Sequence, residues 1–168
     1  MTLNLDPNHT IVNFNKNTTL HDWCVVNDVV MGGKSTSEVM LNKNGNAVFK
    51  GKVSLENNGG FSLLRHRFYK LDISNFKTIK IRLKGDGKKY QFRIKPSRFN
   101  QYSYVQYIQT AEDWETIKID LTDFTPIFRG RQLEMPNFNE LTIEEISFLI
   151  GNKLQEKFKL IIESVVLE

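Results

Sequence analysis

The sequence predicts an all-β protein, a sandwich or barrel built from about eight to ten short strands. Three observations lead there. Short runs alternate apolar and polar residues with a period of two. Turns rich in Asn and Gly separate the runs. No apolar pattern of helical period persists for three turns anywhere in the chain. With 168 residues, no internal repeat and no low-complexity linker, residues 1–168 are expected to form one domain, with 1–9 as a flexible tail.

Taken in order, Thr10 to Phe14 reads as a first strand, and Trp23 to Ser35 as an apolar stretch interrupted by Asn27-Asp28 and followed by Gly32-Gly33. In that stretch Trp23, Val29, Val30 and Met31 are expected inside, with Asn27 and Asp28 bonding nearby backbone. Ser37 to Leu41 and Ala47 to Leu55 form a hairpin around Asn42 to Asn46, whose Asn-Gly pair is a strong turn signal. Asn57-Asn58-Gly59-Gly60 turns the chain into Phe61 to Phe68, where Phe61, Leu63, Arg65 and Arg67 share one face. Ile79, Ile81 and Leu83 alternate with Lys80, Arg82 and Lys84, and Tyr90, Phe92 and Ile94 alternate with Gln91, Arg93 and Lys95. With Gly85-Asp86-Gly87 between them, these two runs read as a hairpin. Tyr102 to Thr110 and Trp114 to Leu121 follow as strands. The irregular stretch from Thr122 to Asn139 is expected to pack through Phe124, Phe128, Leu133 and Phe138. Thr142 to Glu145 matches a capping box and suggests one helical turn, before two closing strands at 146–150 and 158–167.

Composition narrows function. A net charge of +4 is too mild to argue for nucleic acid, and none is expected as a partner. A single cysteine, Cys24, excludes an intrachain disulfide, and beside Trp23 it reads as a small core residue. The longest apolar runs fall far short of the ~20 residues of a spanning helix, so no membrane insertion is expected. Residues 1–17 carry no leader pattern, which makes a cytoplasmic location the expectation. His9, His21 and His66 are scattered, and no nucleophile elbow, metal-binding His pair or phosphate loop occurs. Asp28 and Asp86 each offer one carboxylate to a loop, which is too little for a calcium site. No catalytic residue, metal or cofactor is expected.

One pattern stands out. A hairpin that buries Ile79, Ile81, Leu83, Tyr90, Phe92 and Ile94 would gather Lys80, Arg82, Lys84, Arg93 and Lys95 on its outer face, with Arg65 and Arg67 as candidate additions. Such a face is either a solvated surface or a site for an anionic or polar partner, and like charges there need acids from a neighbouring strand. Tyr102, Tyr104 and Tyr107 are candidates for stacking, and Arg129 for the rim.

The order of motifs is specific. Trp23 and Asn27 to Gly33 with Ser35 come first, then Gly51 to Phe61 with Arg65, then Gly85-Asp86-Gly87 with Tyr90. Trp114, Phe124 and Phe128 to Arg131 follow, then Ile146 to Ile150 with Lys153 and Phe158. In these segments the chain resembles the complex I intermediate-associated protein 30 family, whose domain is similar to the galactose-binding jelly roll. The resemblance implies a jelly-roll β-sandwich in which Trp23, Asn27, Asp28, Met31, Gly32, Gly33, Asn57, Asn58, Gly59, Gly60, Phe61, Asp86 and Trp114 form the structural framework. It also implies a non-enzymatic, chaperone-like or scaffold domain that recognises a protein partner, with a carbohydrate or small polar ligand as the alternative. The chain departs from the family pattern at Leu63 and at Glu156-Lys157, which alters loop chemistry rather than framework.

Overall fold

The computed structural model describes residues 7–27 and 32–168. Asp28, Val29, Val30 and Met31 lie outside the described residues, as does the side chain of Asn58. Strands are β1 (His9–Asn13), β2 (Trp23–Asn27), β3 (Thr36–Leu41), β4 (Ala47–Val53), β5 (Ser62–Asp72), β6 (Thr78–Lys84) and β7 (Lys89–Lys95). They continue as β8 (Ser103–Gln109), β9 (Trp114–Asp120), β10 (Thr125–Phe128), β11 (Arg131–Gln132), β12 (Thr142–Ile150) and β13 (Glu156–Leu167). Two short 3-10 turns, at Glu56–Asn58 and Leu121–Asp123, are the only helical segments among the described residues.

The strands divide into two antiparallel sheets. One runs β3-β4-β13-β6-β9, with β1 also paired to β13, and the other runs β11-β10-β8-β7-β12-β5-β2. Every strand sends alternate residues inward. Ile79, Ile81, Leu83, Leu160, Ile162 and Phe49 from the first sheet meet Leu64, Tyr90, Phe92, Ile94, Ile146 and Phe148 from the second in one buried cluster. Phe92 contributes twice, at 5.1 Å from Phe148 and 6.0 Å from Phe124 between ring centroids.

The hairpin expected across Gly85-Asp86-Gly87 is not formed. β6 pairs with β13 and β9, while β7 pairs with β8 and β12, so the turn carries the chain from one sheet to the other. The turn is held by Asp86, whose carboxylate accepts the buried Tyr90 hydroxyl at 3.1 Å. It also accepts the Lys88 amide at 3.2 Å and, from β13 in the opposite sheet, the Lys159 amide at 2.8 Å. Burial, and then the neighbouring Asp86 charge, push the Tyr90 hydroxyl far above its ordinary value, so it stays a donor. Asp86 is therefore a bolt between the sheets.

Other expectations are met or corrected locally. β3 and β4 form the expected hairpin, with Asn42 Oδ1 accepting the Asn44 and Asn46 amides at 3.0 Å and Gly45 at φ 82°. The two early motifs meet. Ser35 Oγ accepts the Ser54 amide at 2.9 Å, Lys34 pairs with Glu56 at 3.1 Å, and Asn27 stands opposite Ser62. At Gly51 the backbone of Thr36 and Ser37 comes too close for any Cβ. Phe124 and Phe138 are buried and pack the 122–139 stretch, which also holds β10 and β11. Thr142 to Glu145, read as a helical turn, instead opens β12, because pairing to both β5 and β7 outweighs a local capping preference. The expected tail over 1–9 falls largely outside the described residues, but His9 already stands opposite Leu167 in β1.

Cys24 is exposed, not a core residue. Alternation on β2 turns Trp23 inward against Phe14 and His66, and so turns Cys24 outward opposite Arg65. The His66 ring stacks on Trp23 with centroids 4.6 Å apart and lies 3.2 Å by Nδ1 from the Asp22 carbonyl oxygen. Burial holds the imidazole below its ordinary value of 6.5, against smaller opposing pulls from Asp22. In the window between the folded value and 6.5 the unfolded chain binds the extra proton. Stability is thus expected to fall as the pH drops through 6.5 and to level off below the folded value. Melting temperatures across that range check this, and His66→Phe should flatten that part of the profile; an unchanged slope would contradict it.

Candidate binding face

The division into two sheets splits the expected basic cluster. Lys80 and Arg82 lie on the outside of the six-stranded sheet, where Glu163 of β13 and Glu168 just beyond it supply compensating acids. Arg82 pairs with Glu163 at 3.0 Å and covers the Trp114 ring at 5.6 Å, and Lys80 pairs with Glu168 at 2.7 Å. Lys80 and Arg82 are thus each held by an acid of their own sheet. Tyr104 is also removed from the candidate site: it is buried against Phe138, and Tyr102 packs on it at 5.7 Å. Tyr104 has the inward parity of β8 and Tyr102, just before the strand, packs against the core with it, whereas Tyr107 faces outward opposite Gln91.

Arg93 and Arg65 are brought together on the outer face of the seven-stranded sheet, and register builds their surroundings in rows. In one row β5, β12 and β7 place Arg67, Glu145 and Lys95 side by side. In the next they place Arg65, Ser147 and Arg93, with Cys24 beyond Arg65 on β2 and Val105 beyond Arg93 on β8. A third row holds Val26, Leu63, Leu149, Gln91 and Tyr107.

Glu145 is the centre of charge. Its side chain is only 5% exposed, an unusual position for a carboxylate on an outer face. Arg67 Nε donates to Glu145 Oε1 at 2.8 Å, and Arg65 Nε reaches the same oxygen only at 3.9 Å. Arg93 is turned toward a neutral acceptor, Gln91 Oε1, through Nε at 3.0 Å and Nη2 at 2.6 Å. Lys95 Nζ donates to the Asn100 carbonyl at 3.0 Å. Burial lowers the Lys95 ammonium from its ordinary value; Glu145 opposes this, but Arg67, Arg65 and Arg93 all add to the lowering. Burial also lowers Arg93, with Tyr107 and Glu145 opposing, although a guanidinium remains charged. Four cations thus share one carboxylate.

At one end of this face, residues including Lys89, Gln91, Tyr107, Gln109, Ile127 and Asn152 line an open groove of about 680 Å³. Arg129, at φ 50°, lies between the lining residues Ile127 and Gly130, with its guanidinium 5.2 Å from the Phe128 ring centroid. At the other end Tyr69 and Phe99 are 95% and 85% exposed, and between them Arg98 clamps Glu144 at 3.1 Å and the Phe68 carbonyl at 2.8 Å. Among the described residues no three His, Cys, Asp or Glu side chains gather as metal ligands.

A model of the family described as complex I intermediate-associated protein 30 matches residues 12–162, nearly the whole chain. The chain belongs to that family. A curated relative, the mitochondrial complex I intermediate-associated protein 30 of Mus musculus, is 26% identical over 175 aligned residues. The alignment covers 90% of this chain and 53% of the relative, so this family member spans about half the length of the mouse protein. Among solved structures, the family 11 carbohydrate-binding module of Clostridium thermocellum, in complex with a β-1,3-1,4-mixed-linked tetrasaccharide, superposes with a TM-score of 0.71 at 19% identity. That match covers 95% of this chain and 94% of the module. A variant of the family 29 carbohydrate-binding module CBM29-2 gives 0.56 at 10% identity, covering 96% and 91%. These likenesses show the jelly-roll β-sandwich fold of this family member.

Sequence reasoning found Arg65 and Arg93 but missed Glu145, Ser147 and Gln91. Glu145 was hidden inside an apparent capping box. Its signal was the alternation Glu145, Ser147, Leu149 against Ile146, Phe148, Ile150, a strand pattern with a charge on the face that Arg65 also occupies.

Proposed function

We propose that this domain is a non-catalytic recognition module that holds a protein partner against the outer face of the seven-stranded sheet. The observation that carries the reading is the gathering of Arg65, Arg67, Arg93 and Lys95 in two adjacent rows around the carboxylate of Glu145, which Arg67 and Arg65 approach at 2.8 and 3.9 Å. On the opposite sheet Lys80, Arg82 and Lys118 each reach the carboxylate of Glu163 or Glu168 within 4 Å, whereas on this face Arg93 and Lys95 bond neutral oxygens. Exposed Tyr69 and Phe99 add the aromatic surface that protein interfaces favour. Membership of a family whose curated relative is named for association with a complex I intermediate supports a protein client.

A carbohydrate ligand is the second reading, supported by the architecture shared with carbohydrate-binding modules. The groove around Tyr107 argues against it. Lys89 already sits over one face of the Tyr107 ring at 4.5 Å, and the amide groups of Gln109 and Asn152 donate to the Gly87 and Lys89 carbonyls. One face of the ring and part of the amide donor capacity that a sugar would use are thus already engaged within the protein.

Quantitative affinity capture tests the choice of surface. Arg93→Glu is expected to reduce recovery of the partner at least tenfold, while Arg82→Glu on the other sheet leaves it unchanged. Equal recovery with both variants would overturn the assignment. A thermal shift from mixed-linked glucan oligosaccharides would instead favour the carbohydrate reading.

A further inference from the structure

The two central rows of the face differ in one respect. In the row of Arg67 and Lys95, Glu145 stands between the cations on β12 and neutralises part of their charge. In the row of Arg65 and Arg93, the same β12 position is Ser147, 1% exposed and too short to answer either guanidinium. Strand spacing puts the backbones of Arg65 and Arg93 about 10 Å apart across Ser147, with Arg65 leaning to Glu145 in the row on one side and Arg93 to Gln91 in the row on the other. Both are underused. The Arg65 Nε is buried without a hydrogen-bond acceptor among the described residues, and its only carboxylate contact is Glu145 at 3.9 Å. Among the described residues Arg93 bonds a neutral amide oxygen. A buried guanidinium N–H left unmet is costly, and an anion arriving between the two arginines would meet it.

We infer that Arg65 and Arg93, flanking the buried Ser147, form a carboxylate-binding slot that takes an Asp or Glu side chain from an acidic segment of the partner. The inference rests on the proposed recognition face and names what that face recognises. The ligand carboxylate takes in the second row the place that Glu145 holds in the first. Charge complementarity selects the occupant: the slot lies among Arg65, Arg67, Arg93 and Lys95, with Glu145 as the one carboxylate in its two rows. Leu63 and Leu149 in the adjoining row give the stem of a Glu side chain an apolar floor.

Two substitutions test this from opposite directions. Ser147→Asp supplies the missing carboxylate from the protein itself, and Arg93→Gln removes one wall of the slot. The probe is a fluorescein-labelled peptide of alternating Glu and Ser, measured by anisotropy. Its counterparts are a Lys-Ser peptide and a galacturonate oligosaccharide. The wild-type protein should bind the Glu peptide and neither counterpart, with affinity falling as salt is raised. Both variants should weaken binding at least tenfold, and Arg82→Gln should not change it. Cys24, the single cysteine and exposed in the same row as Arg65, provides an independent reporter. Its alkylation by iodoacetamide should slow severalfold when the Glu peptide is bound. Ser147→Asp should melt no lower than the wild type, since it pairs two arginines; if it misfolds, Arg93→Gln still decides. Undiminished binding by Arg93→Gln, or equal binding of the galacturonate probe, overturns the inference. If the Glu peptide fails to bind while Arg93→Glu still abolishes partner capture, the slot is refuted and the recognition face stands.

Discussion

Asp86→Ala should lower the unfolding free energy by about 3–4 kcal/mol, the largest loss expected from a single side chain outside the apolar core. The substitution deprives the buried Tyr90 hydroxyl of its acceptor and frees the Lys88 and Lys159 amides. Hydrogen bonds to a charged acceptor contribute about 1.5–3 kcal/mol each, and a buried donor left unmet adds its own desolvation cost. Water reaching the vacated space would satisfy part of this, so the sum is less than three full bonds. Tyr90→Phe should cost only about 1 kcal/mol, because it removes donor and demand together and leaves both amide bonds to Asp86. Urea denaturation of the two variants separates the cases. Equal losses would mean that Asp86 acts through Tyr90 alone and does not bolt the sheets.

Glu145→Gln has the second largest expected effect, and it moves two observables in opposite directions. Stripping one partner from a buried ion pair costs about 3–5 kcal/mol. Arg67 keeps 39% side-chain exposure, so water offsets part of that and about 2–3 kcal/mol remains. The same change removes the negative charge from the recognition face. An acidic ligand should therefore bind several-fold more tightly even as the protein unfolds more easily. A variant that lost stability and ligand affinity together would show that Glu145 contributes to binding directly, by holding Arg67 and Arg65 in place.

The fold was readable because alternation marks strands regardless of their partners. The Asn42 to Asn46 hairpin and the shared face of Leu63, Arg65 and Arg67 were both visible in local chemistry. What alternation cannot encode is which sheet a strand joins. β6 and β7 both turn their apolar residues to the common core, so a hairpin and a crossover between sheets present the same pattern. The distinguishing fact is that Asp86 reaches the Lys159 amide on β13, a contact 73 residues away in sequence. That ambiguity placed Lys80 and Arg82 beside Arg93 when they occupy opposite sides of the sandwich. It also concealed the pairing of Glu145 with Arg67 and Lys95, which exists only because β12 inserts between β5 and β7. Cys24 was misplaced for a simpler reason: next to a buried Trp23 on a strand, the following residue must face away.

The central proposal, that the outer face of the seven-stranded sheet is where an acidic partner segment lies, is most directly tested by amide chemical-shift mapping during titration with the Glu-Ser peptide. Shifts should concentrate on β5, β12 and β7 around Arg65, Ser147 and Arg93, and extend to Cys24 at the sheet edge, while β6 and β13 near Arg82 and Glu163 stay unmoved. Shifts centred on Lys80 and Arg82 would contradict the proposal and return the binding surface to the six-stranded sheet.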